Sequence, residues 1–353
     1  MQPSVLNRRQ FSVGIGATAL AGFGVARAQS EGRIVLGQSA AFSGPAAQLG
    51  IQFNQGAKLF FDQLNAAGGV GKRMVEIRTL DDGYEPDRCA ENTRKLIADA
   101  VFALFGYVGT PTSLAAVPLF NQAKVPFFAP FTGAESLRQP FNRLIFHVRA
   151  SYYDETALIV RQLVNLGIKK IAVFHQNDAY GKAGLDGVNK ALAEHKLPLA
   201  GAATVERNSV DVAAAVEKLV AAKPDAVVQI AAYGASAAFV RAARKAGFGG
   251  TFYNVSFVGT QALADELGKD GAGVVVSQVV PSPYQPSRQI TREFLDAIKK
   301  AGDKVQPNYS SMEGFLAARI FTEGLRQAAA SGKISRDSFI SGMVGLGSQV
   351  ISG

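Results

Sequence analysis

Tryptophan is absent from this 353-residue chain, and there are only one cysteine and three histidines. A single thiol cannot form a disulfide within the chain, so stability has to come from a packed core. That thiol, Cys89, falls in a helix-like stretch from Pro86 to Ala98 and reads as a small core residue rather than a reactive group. His147, His175 and His195 lie on two strands and a helix end without metal-ligand spacing. Only His175, beside Gln176, Asn177 and Asp178, sits where it could edge a site. Beyond residue 30 no run reaches about 18 consecutive apolar residues, so no membrane-spanning helix is expected in the body of the chain. Phosphate-loop chemistry is missing too. Gly71-Lys72 is followed by Arg73, and Ala66 stands where such a loop needs glycine. No Gly-x-Ser-x-Gly elbow carries a nucleophile, and no Lys/Arg run interleaved with aromatics suits a nucleic acid. These absences point to a protein that is not an enzyme and has no metal, cofactor or nucleic-acid partner.

What is present suits two domains. The length exceeds one typical domain, and 48% hydrophobic with 18% charged residues is ordinary for a well-packed globular chain. Residues 1–28 read as an export signal. Arg8 and Arg9 precede a mildly apolar, Gly/Ala-rich stretch from Phe11 to Val25, and Ala26-Arg27-Ala28 supplies a small-x-small cleavage pattern. The paired arginines favour the twin-arginine route, with general secretion as the alternative. Cleavage near Ala28 would remove three of the 37 basic residues and none of the 28 acidic ones, leaving a net charge of +6 rather than +9.

The chain also says nearly the same thing twice. A helix-like stretch around Lys95-Leu96-Ile97 leads through Asp99-Ala100-Val101 into an apolar strand, Phe102 to Phe105, which breaks at Gly106 and Gly109 before a helix near Thr110. Around Lys218-Leu219-Val220 the order recurs. Asp225-Ala226-Val227 leads into Val228 to Ile230, and the break falls at Tyr233-Gly234. Strands and helix-length segments alternate elsewhere, with strands expected at Arg33–Ser39, Met74–Leu80, Val125–Phe128, Leu144–Val148, Lys170–His175, Pro198–Val205 and Gly273–Val280. Such alternation predicts an α/β fold of two similar lobes, each a parallel sheet flanked by helices. Pro281, Pro283 and Pro286 mark a crossing segment, and two long helices near Ser287–Ala301 and Ser310–Ala330 are expected to complete the first lobe.

Six strand-to-helix turns are rich in hydroxyls and tyrosines, and ligands of parallel sheets bind where strands end and helices begin. They contain Phe42, Ser43, Tyr107, Thr110, Phe131, Thr132, Gly133, Tyr152, Tyr180 and Tyr233. Thr110 is expected to cap a helix with Pro111 in its first turn, leaving backbone amides that suit a carboxylate. Each turn alone reads as a cap; six at equivalent strand ends predict a shared cleft.

Together the export signal, Ser43-Gly44-Pro45, Gly68-Gly69, Asp81-Asp82, Gly106 to Ser113, Pro130 to Gly133, Asp178 to Gly181 and Ala242 to Gly247 resemble the branched-chain amino acid binding proteins of ABC transporters, which are type I periplasmic binding proteins. The resemblance covers essentially all of the chain after the signal. It implies lobes joined by three crossings, residues 29–149 with 281–345 forming the first and 150–280 with 346–353 the second. It further implies a periplasmic monomer that clamps a small amino acid or organic acid and then docks on an ABC permease at the inner membrane. By resemblance Thr110 holds a ligand carboxylate, Phe131, Thr132 and Gly133 add contacts, Tyr180 and Tyr233 close over the ligand, and Phe42 is a first-lobe aromatic.

Two departures stand out. The family usually places an acid for the ligand ammonium where this chain has Ser256, so a carboxylate without an amino group is an alternative ligand. Asp178 either substitutes for that acid or caps the helix at Tyr180. The family also usually continues with strands that complete the second lobe, whereas this sequence stops at Gly353. Rival functions are an exported ligand-sensing receptor subunit and, less favoured, an exported α/β hydrolase.

Overall fold

The computed structural model describes residues 32–302 and 304–346, so the export signal and the end of the second lobe lie outside the described residues. Its frame is two five-stranded sheets in which every pairing is parallel. The first holds β1 (Arg33–Ala40), β2 (Met74–Asp81), β3 (Ala103–Phe105), β4 (Phe127–Phe128) and β5 (Ile145–Phe146) in the order β2-β1-β3-β4-β5. The second holds β6 (Ile171–Gln176), β7 (Gly201–Val205), β8 (Ala226–Ile230), β9 (Thr251–Asn254) and β10 (Val274–Val276). Its order, β7-β6-β8-β9-β10, is the same pattern. The two halves of the sequence repeat meet this frame at β3 and β8, the third strand of each sheet. β8 is buried at every residue, as expected of a strand covered on both faces, and so reads as a continuous apolar run rather than an alternating one.

Helices link successive strands. In the first lobe they are α1 (Ala47–Ala66), α2 (Pro86–Ala98) and α3 (Thr110–Ala123). In the second they are α4 (Tyr152–Asn165), α5 (Ala179–Glu194), α6 (Ala213–Ala221), α7 (Tyr233–Lys245) and α8 (Thr260–Leu267). The chain leaves the first sheet after β5 and returns after β10; the third crossing implied by the family would fall outside the described residues.

After β10 come α9 (Gln289–Lys300), α10 (Tyr309–Ala330) and α11 (Arg336–Leu346). α10 lies directly on α1 through reciprocal glycines. A Cβ on Gly56 would sit 1.8 Å from the Ser311 carbonyl oxygen, and one on Gly314 would sit 2.0 Å from that of Phe53. Only glycine permits this approach. The late helices thus cover the first sheet, as the sequence suggests. Phe321 of α10 packs 4.6 Å from Phe339 of α11 and 5.1 Å from Phe128, so phenylalanines fill the core where tryptophan is missing.

Three expectations need correction. The strand expected over Gly273–Val280 is paired only at Val274–Val276, because β10 is an edge strand that touches β9 alone. α11 was not expected; it follows the turn at Gly332 (φ 103°) and packs on α10 through Phe339. Finally, Gly109 (φ 99°) is the N-cap of α3, and Thr110 is its first helical residue with no side-chain capping bond. The Thr110 hydroxyl is therefore free for other partners.

Candidate functional site

The strand order reverses direction at β1/β3 in one sheet and at β6/β8 in the other, the places where such sheets bind ligands. In the first lobe this end is built on α3. The Thr110 and Thr132 hydroxyls are 2.7 Å apart, and Thr132 accepts from the Ala134 amide at 3.3 Å. The first-turn amides of a 14-residue helix stand beside them, worth about 0.3–1 kcal/mol for an anion through the dipole. Phe131 lies between Phe53, at 5.7 Å, and the Arg149 guanidinium, 4.1 Å above its ring. Gly133 is held tightly. Its carbonyl accepts from the Tyr152 amide at 2.7 Å, and a Cβ would fall 2.7 Å from that nitrogen.

The second lobe contributes rings. Ser151 and Asp154 close a capping box that starts α4 at Tyr152, and Asp178 caps α5 through the Tyr180 and Gly181 amides. Those caps place the two phenols side by side, 5.3 Å between centroids. Tyr180 packs 4.4 Å from Phe257 with the rings tilted by 51°, and Phe257 reaches Phe131 at 5.7 Å and Tyr84 at 6.0 Å in the first lobe. Tyr84, held at φ 65°, accepts at its hydroxyl from Gln176 Nε2 at 3.2 Å. Arg207 with Glu85, at 2.7 Å, and Asn208 with Glu85, at 2.8 Å, add polar bridges. The lobes thus meet through one run of aromatic rings.

Buried charge converges on the same place. Arg149, in the crossing after β5, forks onto Glu313 of α10 with two bonds of 2.8 Å, and both side chains are buried. Burial opposes the Arg149 charge, but Glu313 outweighs it and the pKa rises. Glu155, one turn into α4, is also buried. Its carboxylate accepts from the Ser256 amide at 2.8 Å, the Ser256 hydroxyl at 3.0 Å and the Ser277 hydroxyl at 2.6 Å. Burial raises its pKa, with Arg149 and the serines pulling the other way. Burial also pushes the Tyr152 phenol up to about 12 and raises that of Tyr180, so both remain neutral hydroxyls at ordinary pH. Tyr152 Oη, Tyr180 Oη, Ser113 Oγ and Arg149 Nη1 are buried without a hydrogen-bond partner among the described residues. Such groups are uncommon in a folded interior, and a bound ligand is one way to satisfy them.

Most of the expected residues gather here: Thr110, Phe131, Thr132, Gly133, Tyr152 and Tyr180. Others do not. Tyr107 points into the far side of the first lobe. Its hydroxyl meets Thr93 at 3.1 Å and its ring packs 5.1 Å from Phe127, so it is a core residue. Ser43 is exposed, and its hydroxyl and amide are spent on Asp81. Phe42 is half-buried above them, its amide likewise bonded to Asp81. Tyr233 stands at the rim beside Gly44, Pro45 and Val210, its hydroxyl accepting from the Gln48 amide at 3.4 Å. Asp178 is a cap, also bound by Gln176 Nε2 at 2.5 Å, and is not a free acid. Ser256 holds Glu155. The sequence reading missed Tyr84, Arg149, Glu155 and Phe257. Tyr84 directly follows Asp81-Asp82-Gly83, and Phe257 adjoins Ser256, so proximity to a recognised strand end was the available signal.

The family described as periplasmic binding protein matches residues 33–353. A solved structure described as "a possible leucine/isoleucine/valine-binding protein" from Rhodopirellula baltica SH 1 is 36% identical, with a TM-score of 0.82 over 89% of this chain and 86% of that one. A substrate-binding periplasmic protein from Ralstonia solanacearum is 31% identical, with a TM-score of 0.84 over 89% of each chain. The Leu/Ile/Val-binding protein homolog 7 of Brucella abortus (strain 2308) is 25% identical over 334 residues, 88% of this chain and 81% of the relative. With the twin 2-1-3-4-5 sheets, these matches establish that the chain belongs to the periplasmic binding protein family, as a type I member related to the Leu/Ile/Val-binding proteins, which bind solutes rather than convert them.

Proposed function

We propose that this protein captures a small amino acid or related organic carboxylate between its lobes and delivers it to an ABC permease at the inner membrane. One observation carries the reading. The Thr110–Thr132 hydroxyl pair, at the amino end of α3, lies with the unpartnered phenols of Tyr152 and Tyr180 where the lobes meet. Burial raises the Tyr152 pKa, with the Arg149 charge first and the nearby Thr132 hydroxyl second pulling it back, so Thr132 stands close to that phenol without meeting it in a hydrogen bond of normal geometry. Donors from both lobes thus converge, and a carboxylate has the lone pairs to use them. Phe131 and Gly133 line the same contact, with Phe42 and Tyr233 at the rim. The export signal, cut near Ala28, places the protein in the periplasm, where it works as a monomer. Within the described residues, 32–149 with 281–345 move as one lobe and 150–280 as the other, and ligand holds them closed.

The test is thermal unfolding of the purified mature protein against amino acids, aromatic acids and dicarboxylates. A ligand at a hundredfold over its dissociation constant should add about 2.7 kcal/mol. A folded, ligand-free protein that no carboxylate stabilises would sink the reading.

A further inference from the structure

A chain of polar contacts joins the lobes beside the candidate site. It grips one first-lobe turn, Gly83-Tyr84-Glu85, through three second-lobe side chains. Asn208 Nδ2 donates to the Gly83 carbonyl at 3.0 Å and to Glu85 Oε1 at 2.8 Å. Gln176 Nε2 donates to the Tyr84 hydroxyl at 3.2 Å, and Arg207 Nη2 to Glu85 Oε2 at 2.7 Å. The contacts close on themselves. Arg207 Nη1 also lies 3.5 Å from Asp178 Oδ2, and Gln176 Nε2, which has two hydrogens to give, donates to that same oxygen at 2.5 Å. The circuit therefore runs through Glu85, Arg207, Asp178 and Gln176 to Tyr84, one residue from its start. Its backbone is left-handed on both sides of the contact, at Tyr84 (φ 65°) and Asn208 (φ 60°). A bulky aromatic residue seldom holds that conformation, and it persists where the surroundings over-determine it.

The circuit touches both halves of the site. Asp178 Oδ1 accepts from the Tyr180 amide at 2.9 Å and so fixes the start of α5. The Tyr84 ring lies on Gly109, where a Cβ would fall 2.1 Å from it, and Gly109 is the N-cap directly before Thr110. The Arg207 and Glu85 side chains remain 24% and 41% exposed, so salt reaches their pair while Tyr180 and Thr110 stay buried.

We propose that Arg207 is a positioning residue: bonded at once to Glu85 of one lobe and Asp178 of the other, it clasps the lobes without help from a ligand and thereby sets Tyr180 opposite Thr110. A guanidinium suits this role because separate nitrogens serve the two carboxylates, whereas a lysine ammonium is a single point charge. The clasp rests on the two-lobe frame and not on which solute is captured, so its test needs no ligand.

Paired spin labels supply that test. Cys89 is the sole cysteine and is fully buried, so introduced cysteines take the label selectively. Ala98→Cys and Ala222→Cys place labels at exposed positions at the far ends of α2 and α6, the helices that lead away from the clasp into their own lobes. Pulsed electron resonance on the mature protein, refolded from urea to strip bound solute, reads the ratio of closed to open separations. The closed form is defined by the separation in this structure. At about 0.05 M NaCl the wild type should be mostly closed. Arg207→Gln, which cuts both ion pairs, should lower the closed-to-open ratio about tenfold, and Glu85→Gln, which cuts one, about threefold. Arg207→Lys should keep part of the wild-type ratio. Raising NaCl to about 1 M, where charges are screened beyond about 3 Å, should lower the wild type likewise and move Arg207→Gln little. Glu76→Gln breaks the Arg33–Glu76 pair of 2.9 Å within the first lobe and should leave the ratio unchanged. If Arg207→Gln fails to fold, Glu85→Gln and the salt series decide. A wild type that is open at low salt, or ratios that Arg207→Gln and Glu85→Gln leave within about twofold of the wild type, would overturn the proposal. So would an equal shift in Glu76→Gln, because the loss of any surface charge would then suffice. None of these outcomes touches the carboxylate reading, which stands or falls on thermal unfolding with carboxylates.

Discussion

The two lobes share a strand order but not a cleft chemistry. At the first-lobe strand ends stand hydroxyls, helix amides and Phe131; at the second-lobe ends stand phenols, Phe257 and a buried carboxylate. Among the described residues each lobe also buries one carboxylate without an ion pair. Asp82 is turned into the first lobe's own fabric, accepting from the Ser39 hydroxyl at 2.7 Å and the Tyr84 amide at 2.8 Å. Glu155 stands beside the rings of the interlobe contact. A duplicated scaffold therefore fixes where a site can form, while the side chains at each strand end decide what it binds. The geometry of parallel sheets supplies the first; nothing in the strand order supplies the second.

The largest expected effect breaks the comparison by uncoupling the lobes. Arg149 stands in the crossing between them and Glu313 on a first-lobe helix, so their fork ties the crossing to one lobe. Glu313→Gln leaves a buried guanidinium without its counter-charge and should cost about 3–5 kcal/mol in urea unfolding. A loss under about 1 kcal/mol would mean that the crossing is held by packing alone.

Next in size is a pH effect confined to the first lobe. Burial raises Asp82 from 3.8 to about 6 against its hydrogen bonds from Ser39 and Tyr84. A raised acid holds its proton in the folded chain after the unfolded chain has released it. Its contribution to stability is therefore present below about pH 4 and lost as pH climbs to about 6, a change of roughly 3 kcal/mol. Neighbouring Asp81 runs the other way. Burial there is outweighed by Ser43, the Phe42 and Gly83 amides and Arg88, and its pKa falls to about 2. Asp82→Asn should thus be less stable than the wild type at pH 4 by about 2 kcal/mol more than it is at pH 7. A difference between the two chains that does not vary with pH would show that Asp82 titrates normally.

The same contrast explains how much the sequence made legible. Apolar runs and their glycine breaks located the sheets and the repeat, because those patterns are local consequences of burial on both faces. Thr110, Thr132, Tyr152 and Tyr180 were legible because each follows directly from a strand end. Glu155 and Arg149 were not. Each lies near a recognised turn, but its role depends on Ser256, Ser277 or Glu313, all of them over 100 residues away. Tyr107 was misread because a turn position says little about which face its side chain takes. The segment after β3 sends that ring outward onto Phe127 instead of into the cleft.

Tyr107 and Tyr233 sharpen the comparison most finely, with the smallest expected effects. They follow β3 and β8, the matched third strands, and occupy corresponding places in the two copies of the repeat. Yet Tyr107 bonds within its own lobe, to Thr93 at 3.1 Å, while Tyr233 meets Gln48 of the other lobe at 3.4 Å. Removing a buried hydroxyl whose partner stays behind costs about 1 kcal/mol. Tyr107→Phe should therefore lower unfolding stability by that amount and leave ligand affinity unchanged. Tyr233→Phe should leave the isolated fold unaltered and weaken affinity by only a few-fold, since its bond is long, lies at the rim and joins one lobe to the other. Calorimetric titration and urea unfolding of both variants read the two quantities separately. If Tyr107→Phe altered affinity as much as Tyr233→Phe, the lobes would share one cleft chemistry after all, and the division between an inward-facing copy and a cleft-facing copy would fail.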